Sequence, residues 1–137
     1  MSEALAEMLD LARRALANAY VEYSHFRVGA CIRAASGRLY AGCNVENASY
    51  GLTLCAETTA IGAMITGGDR RIVEMVLLTE RPKLLPPCGR CRQQIKEFAK
   101  EDAVIHLWGP QGLRLTTTLG ELLPLAFDAD ALEPPEA

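Results

Sequence analysis

The 137-residue chain reads as an α/β protein, a three-layer αβα sandwich around a mixed five-stranded sheet. Two observations predict this. Hydrophobic spacing switches repeatedly between helical and strand periods, giving the order helix, hairpin, helix, strand, helix, hairpin, helix. The middle of that order contains strand–helix–strand passages, which put helices on the faces of a sheet.

Each element has its own signal. Leu5, Met8, Leu9, Ala12, Leu16 and Ala19 recur at helical spacing, and Ser2 is placed to cap them. Val28, Ala30, Ile32 and Ala34 alternate with Arg27, Cys31 and Arg33, and Ser36-Gly37 turns the chain into Leu39–Cys43 as a hairpin. Residues 44–53 are polar and irregular. Cys55–Ile65 is alanine-rich, helically spaced, and stopped by Gly67-Gly68. Ile72–Thr79 is almost continuously apolar, as in a strand covered on both faces. Pro82, Pro86 and Pro87 force a loop, and a helix follows from Cys88 to about Lys100, burying Ile95 and Phe98. Val104–Leu107 and Leu113–Thr117 flank a tight turn at residues 109–112, and Thr118 with Glu121 forms a capping box for a short last helix. One domain over residues 1–127 is expected, followed by a frayed acidic tail at 128–137.

Half of the residues are apolar, 23% are charged, and the net charge is −3. Nucleic acid is held by clustered basic faces, and Arg90 and Arg92 are too little for one, so no nucleic-acid partner is expected. No apolar run approaches the ~20 residues of a membrane span. The first residues lack the pattern of a signal peptide. Five cysteines in such a chain are expected as thiols or metal ligands in the cytoplasm.

Cys55-Ala56-Glu57 opens one predicted helix, and Pro87-Cys88-Gly89-Arg90-Cys91 opens another. Cys88 and Cys91 share one side of a helical turn. All three thiols thus sit at helix starts, where the dipole and free N–H groups favour thiolates. Three protein ligands leave a tetrahedral zinc with an open position for water, the mark of a catalytic site. Glu57, two residues from Cys55, is placed to carry a proton at a metal lying off the helix end. The spacing leaves a structural zinc site open, with Cys31, Cys43, His25 or His106 as fourth ligand.

The Cys-x-Glu and Pro-Cys-x-x-Cys pair is the three-cysteine form of the zinc deaminase signature. With Phe26-Arg27-Val28-Gly29-Ala30, Gly42-Cys43-Asn44-Val45-Glu46-Asn47-Ala48, Pro87-Cys88-Gly89-Arg90-Cys91-Arg92-Gln93, Leu122-Leu123-Pro124 and Ala126-Phe127, the chain resembles the small homotetrameric cytidine deaminases over roughly residues 5–130. The resemblance implies one zinc per subunit on Cys55, Cys88 and Cys91, and a tetramer with shared active sites. It implies that Asn44 and Glu46 bind the ribose 3′-hydroxyl, that Phe26 stacks beside the pyrimidine, and that the Ala56 N–H binds the ring carbonyl. Tyr50 and Phe127 are expected to complete a neighbouring subunit's pocket. Glu57 is expected to take a proton from the attacking water, protonate ring N3, and then deliver a proton to the departing amino group. The substrates implied are free cytidine and deoxycytidine, in pyrimidine salvage.

The sequence departs from the family in one respect. Thr58 stands where many members have an arginine that offsets the thiolate charge. Arg90, between the paired cysteines, is expected to take that role, with Arg92 assisting. Three other functions compete: a deaminase of blasticidin-type nucleoside antibiotics, an editor of cytosine within nucleic acid, and a non-catalytic zinc-stabilised domain.

Overall fold

The computed structural model describes residues 1–132. Its elements are α1 (Glu3–Ala17), β1 (Val28–Ala34), β2 (Leu39–Cys43), α2 (Ala56–Thr66), β3 (Ile72–Thr79), α3 (Gly89–Phe98), β4 (Ala99–Gly109), β5 (Gly112–Thr118) and α4 (Leu119–Leu122). Short 3-10 turns occupy Tyr50–Leu52 and Ala129–Leu132. Of the expected frayed tail, 133–137 lie outside the described residues.

The strands form one mixed sheet in the order β2-β1-β3-β4-β5, with only β3 and β4 pairing in parallel. On one face, Met8, Leu9, Ala12 and Leu16 of α1 pack against Cys31, Val76 and Leu78. On the other, α2, α3 and α4 bury Ala30, Ile32, Met75, Leu77, Ile105 and Leu107. The three layers therefore match the architecture the spacing predicts, and Cys31 is fully buried between α1 and the sheet.

The termini of the helices follow their local chemistry. The Leu5 N–H donates to Ser2 Oγ at 3.1 Å, capping α1. At the end of α2, Gly68 has φ +95°, a conformation that favours glycine, so the helix stops there. The Glu121 N–H donates to Thr118 Oγ1, but the Glu121 carboxylate accepts from Thr117 Oγ1 instead of closing the capping box.

Two boundaries differ from expectation. α3 ends at Phe98, not near Lys100, and β4 begins at Ala99, not Val104. Ala99 pairs with Ile72 and Val104 pairs with Glu74, so the charged residues Lys100, Glu101 and Asp102 bulge outward between two buried alanines, Ala99 and Ala103.

The topology puts the candidate site at one edge. β2 and β3 point the same way on either side of antiparallel β1. Their carboxyl ends feed α2 and α3, while the start of β1 arrives at the same edge.

Candidate active site

Cys55 and Cys88 occupy the N-cap positions of α2 and α3, and Cys91 is the third residue of α3. An N-cap side chain ordinarily accepts a hydrogen bond from the first turn. Neither cysteine does so here. Their thiols turn to each other instead, and the three sulfurs all lie within 4.8 Å of one another. All five cysteines are free thiols.

Close packing sets this convergence. A Cβ on Gly42 would come within 2.3 Å of the Ala60 nitrogen, so only glycine lets the start of α2 lie on β2. The Thr59 hydroxyl donates to the Cys43 carbonyl at 2.7 Å, fastening the same contact. On the α3 side, Arg92 Nε donates to the Pro87 carbonyl and its Nη1 to the Leu122 carbonyl, at 2.8 and 2.7 Å. Arg92 is therefore a brace for the Pro87-Cys88 turn. Both bonds go to neutral backbone carbonyls, so the guanidinium keeps its positive charge while it braces the turn.

The thiols open onto a cavity of about 280 Å³. Cys55, Ala56, Glu57, Cys88 and Cys91 form its floor, Leu85, Pro86 and Pro87 one wall, and Phe26, Val28, Asn44, Thr53 and Leu54 another. The lining is mostly apolar with a few convergent polar groups, the usual make-up of a small-molecule site. Glu57 is 5% exposed, and burial pushes its carboxyl above the usual value against the opposing contact with the Cys91 thiol. A carboxyl so placed holds its proton more tightly, as a proton carrier requires.

The thiols titrate as a linked group. The hydrogen bond from Cys91 draws Cys55 down to about 7, with Arg90's charge adding to the effect and burial and Glu57 opposing it. The same hydrogen bond, burial and the nearby Glu57 push Cys91 up. Cys55 thus gives up its proton readily while Cys91 and Glu57 hold theirs, and a dication is what would favour ionisation of the whole thiol group. The donor set fits zinc, which takes tetrahedral thiolate ligands.

The other expected residues divide. Asn44 lines the cavity, but its side chain is engaged: Oδ1 accepts from the Val28 N–H at 2.9 Å and Nδ2 donates to the Phe26 carbonyl at 2.7 Å. It clamps the chain that presents Phe26. Glu46 Oε1 accepts from the N–H groups of Tyr23 and Ser24, each at 3.0 Å, and the Ser24 hydroxyl, followed by these N–H groups, holds the carboxyl low despite some desolvation. Glu46 and Tyr50 line a neighbouring cleft, which meets the cavity at Thr53. Tyr50 is 79% exposed and Phe127 59%, and neither lines the cavity. The Phe127 carbonyl accepts from Gln93 Nε2 at 2.8 Å. Arg90 is exposed beside the thiols.

Sequence reasoning missed the wall built by Leu85, Pro86 and Pro87. The paired prolines were its only signal, and they read equally well as a plain loop. It also missed Arg81, whose guanidinium lies 4.9 Å from the centre of the Phe26 ring.

The sequence pattern of the cytidine and deoxycytidylate deaminase zinc-binding region matches residues 2–107. A cytidine deaminase of Halalkalibacterium halodurans is 42% identical over 123 residues, covering 90% of this chain and 93% of that protein. The crystal structure of a cytidine deaminase from Burkholderia pseudomallei superposes with a TM-score of 0.84 at 38% identity, covering 93% of this chain and all of that one. A blasticidin-S deaminase of Bacillus cereus is more distant, 28% identical over 130 residues, covering 88% of this chain and 90% of that protein.

Proposed function

The chain belongs to the cytidine deaminase family, and from that premise we propose that it catalyses the zinc-dependent hydrolytic deamination of cytidine and deoxycytidine. Nucleoside and water enter, and uridine or deoxyuridine and ammonia leave. One observation carries the reading: the buried Glu57 carboxyl shares its small cavity with three converging thiols. A structural zinc site would not need that carboxyl.

Cys55, Cys88 and Cys91 are the residues that would hold zinc. When bound, zinc supplies Lewis acidity that brings the pKa of water toward ~7. Glu57 does the proton work. It accepts a proton from the attacking water and places it on ring N3, so that C4 becomes electrophilic and bonds the water oxygen. It then takes the remaining proton of that added hydroxyl and delivers it to the amino group, whose bond to C4 breaks as the C4 carbonyl forms and ammonia leaves. The Ala56 N–H, at the first position of α2, has no partner within the helix and is assigned to the ring carbonyl. Phe26 stacks beside the pyrimidine, and the Leu85-Pro86-Pro87 wall keeps bulk water from the ring.

Asn44 serves the ribose site chiefly by holding Phe26 and Val28 in place, with its remaining hydrogen-bonding capacity toward the 3′-hydroxyl. Glu46 shares that role from the neighbouring cleft. Arg90 offsets thiolate charge, supported by its pull on Cys55. The active assembly is a homotetramer in which Tyr50 and Phe127, exposed in one subunit, complete a neighbour's pocket. The enzyme works in pyrimidine salvage in the cytoplasm, where its thiols stay reduced.

The test is turnover of cytidine, deoxycytidine and blasticidin S by zinc-loaded protein, followed by uracil-product formation. Conversion of the two nucleosides supports the proposal. Conversion of the antibiotic alone would replace it with the rival deaminase, and conversion of none would return the site to a structural role.

A further inference from the structure

We propose that Arg81 is a positioning residue for the substrate: its guanidinium, stacked on Phe26, holds that ring against the pyrimidine of the bound nucleoside. The inference rests on the assignment of Phe26 as the stacking surface.

Phe26 lies just outside the sheet and has no ladder partner to fix it. The residue before it, His25, has φ +55°, a left-handed conformation unusual outside glycine. The Phe26 backbone is held at both ends. Its N–H donates to Ser24 Oγ at 3.0 Å, and its carbonyl accepts from Asn44 Nδ2. Neither bond fixes the ring.

Side chains supply what the ladder does not. β1 and β3 pair antiparallel with Val28 opposite Thr79. Continued outward by one and two residues, that register sets Arg27 opposite Glu80 and Phe26 opposite Arg81. Arg27 forms an ion pair with Glu80, and the Arg81 guanidinium covers the Phe26 ring at 4.9 Å. The strand pairing thus persists past the end of the sheet through side chains alone. The Arg81 backbone is held in turn, its carbonyl accepting from Arg114 Nη1 at 2.9 Å. Phe26 lines the cavity and Arg81 does not, so the cation covers the ring from outside. One aromatic face is occupied by a planar cation, and the ring is held with the rest of its surface toward the substrate. Arg81 touches no reacting atom. It acts through Phe26, reducing the ordering that binding would otherwise require of the ring.

The experiment measures uridine affinity by titration calorimetry, together with kcat and KM for cytidine, on zinc-loaded protein. The variants are Arg81→Ala, Arg81→Lys, Phe26→Leu and the double variant Phe26→Leu/Arg81→Ala. An exposed cation–aromatic contact corresponds to a roughly two- to five-fold change in affinity. Arg81→Ala is therefore expected to raise the uridine Kd and the cytidine KM by that factor, with kcat and bound zinc unchanged. Arg81→Lys should lie between it and the parent. In the Phe26→Leu background, removing Arg81 should add nothing. Parent-like uridine affinity in Arg81→Ala, with weakened binding in Phe26→Leu, would overturn the role of Arg81 and leave the stacking assignment standing. An equal loss with and without the Phe26 ring would also overturn it. Parent-like affinity in Phe26→Leu would remove the stacking assignment itself, and the role of Arg81 with it.

Discussion

The Thr58 hydroxyl donates a hydrogen bond to Gln94 Oε1 at 2.7 Å, tying the first turn of α2 to α3. Thr58 follows Glu57 directly, and Gln94 lies three residues beyond Cys91 on α3. The position where many family members carry a charged arginine is thus used in this chain for a neutral tie between the two helices that bear the thiols.

Breaking that tie should loosen the metal site before it unfolds the protein. Hydrogen bonds made to the metal ligands themselves are typically worth about 10–100-fold in metal affinity, and this tie, which holds the ligand-bearing helices rather than a thiol, should be worth less. Thr58→Val, which keeps the shape and removes the hydroxyl, is expected to lose zinc faster to a competing chelator. Thr58→Ser should restore retention. Chelator resistance equal to the parent's in Thr58→Val would show that the bond does not bear on the metal.

Arg90 makes a separate prediction. Removing its charge leaves the thiolate cluster more negative, so water at the site should ionise less readily. For Arg90→Ala the acidic limb of the kcat/KM profile should move to higher pH, and zinc retention should fall. A profile and retention matching the parent's would return Arg90 to the solvated surface.

Much of this was legible from local pattern, and the exceptions share a physical cause. The three cysteines, Glu57 and the Gly67-Gly68 stop follow from chemistry within a few residues, which sequence displays directly. The α3–β4 boundary does not. Lys100-Glu101-Asp102 reads as the polar face of a helix, yet the parallel pairing of Ala99 with Ile72 recruits the segment into the sheet as a bulge. Nor does the clamp that Asn44 places on the Phe26–Val28 segment follow from local pattern, since the two ends of its amide meet backbone eighteen and sixteen residues away. Arg81 became visible only once the β1–β3 register was known. Long-range partners decide each of these, and no spacing rule reports them.

Glu74 links three strands through side chains. Its carboxylate accepts from Arg33 Nε at 2.9 Å and lies 2.6 Å from His106 Nε2, while His106 Nδ1 lies 2.9 Å from Thr116 Oγ1. Burial pushes the Glu74 carboxyl up, but the bonds to His106 and Arg33 outweigh it and leave it below its ordinary 4.5. A carboxyl lowered by folding stabilises the fold above its unfolded pKa, and that contribution is lost as pH falls through the folded value. Glu74→Gln should therefore cost about 1–2 kcal/mol at about pH 7, and the difference from the parent should shrink toward about pH 3. Urea midpoints at the two pH values check this. A gap that stays constant would assign the loss to packing.

The most direct test of the account is cytidine turnover by the parent and by Glu57→Gln, each with its zinc content measured. The account predicts one zinc per subunit in both proteins, uridine formation by the parent, and a loss of at least about 10²-fold in kcat for the variant, the scale of general acid–base catalysis. Turnover by Glu57→Gln within a few-fold of the parent's, with zinc bound in both, would contradict the assignment of the buried carboxyl as the proton carrier.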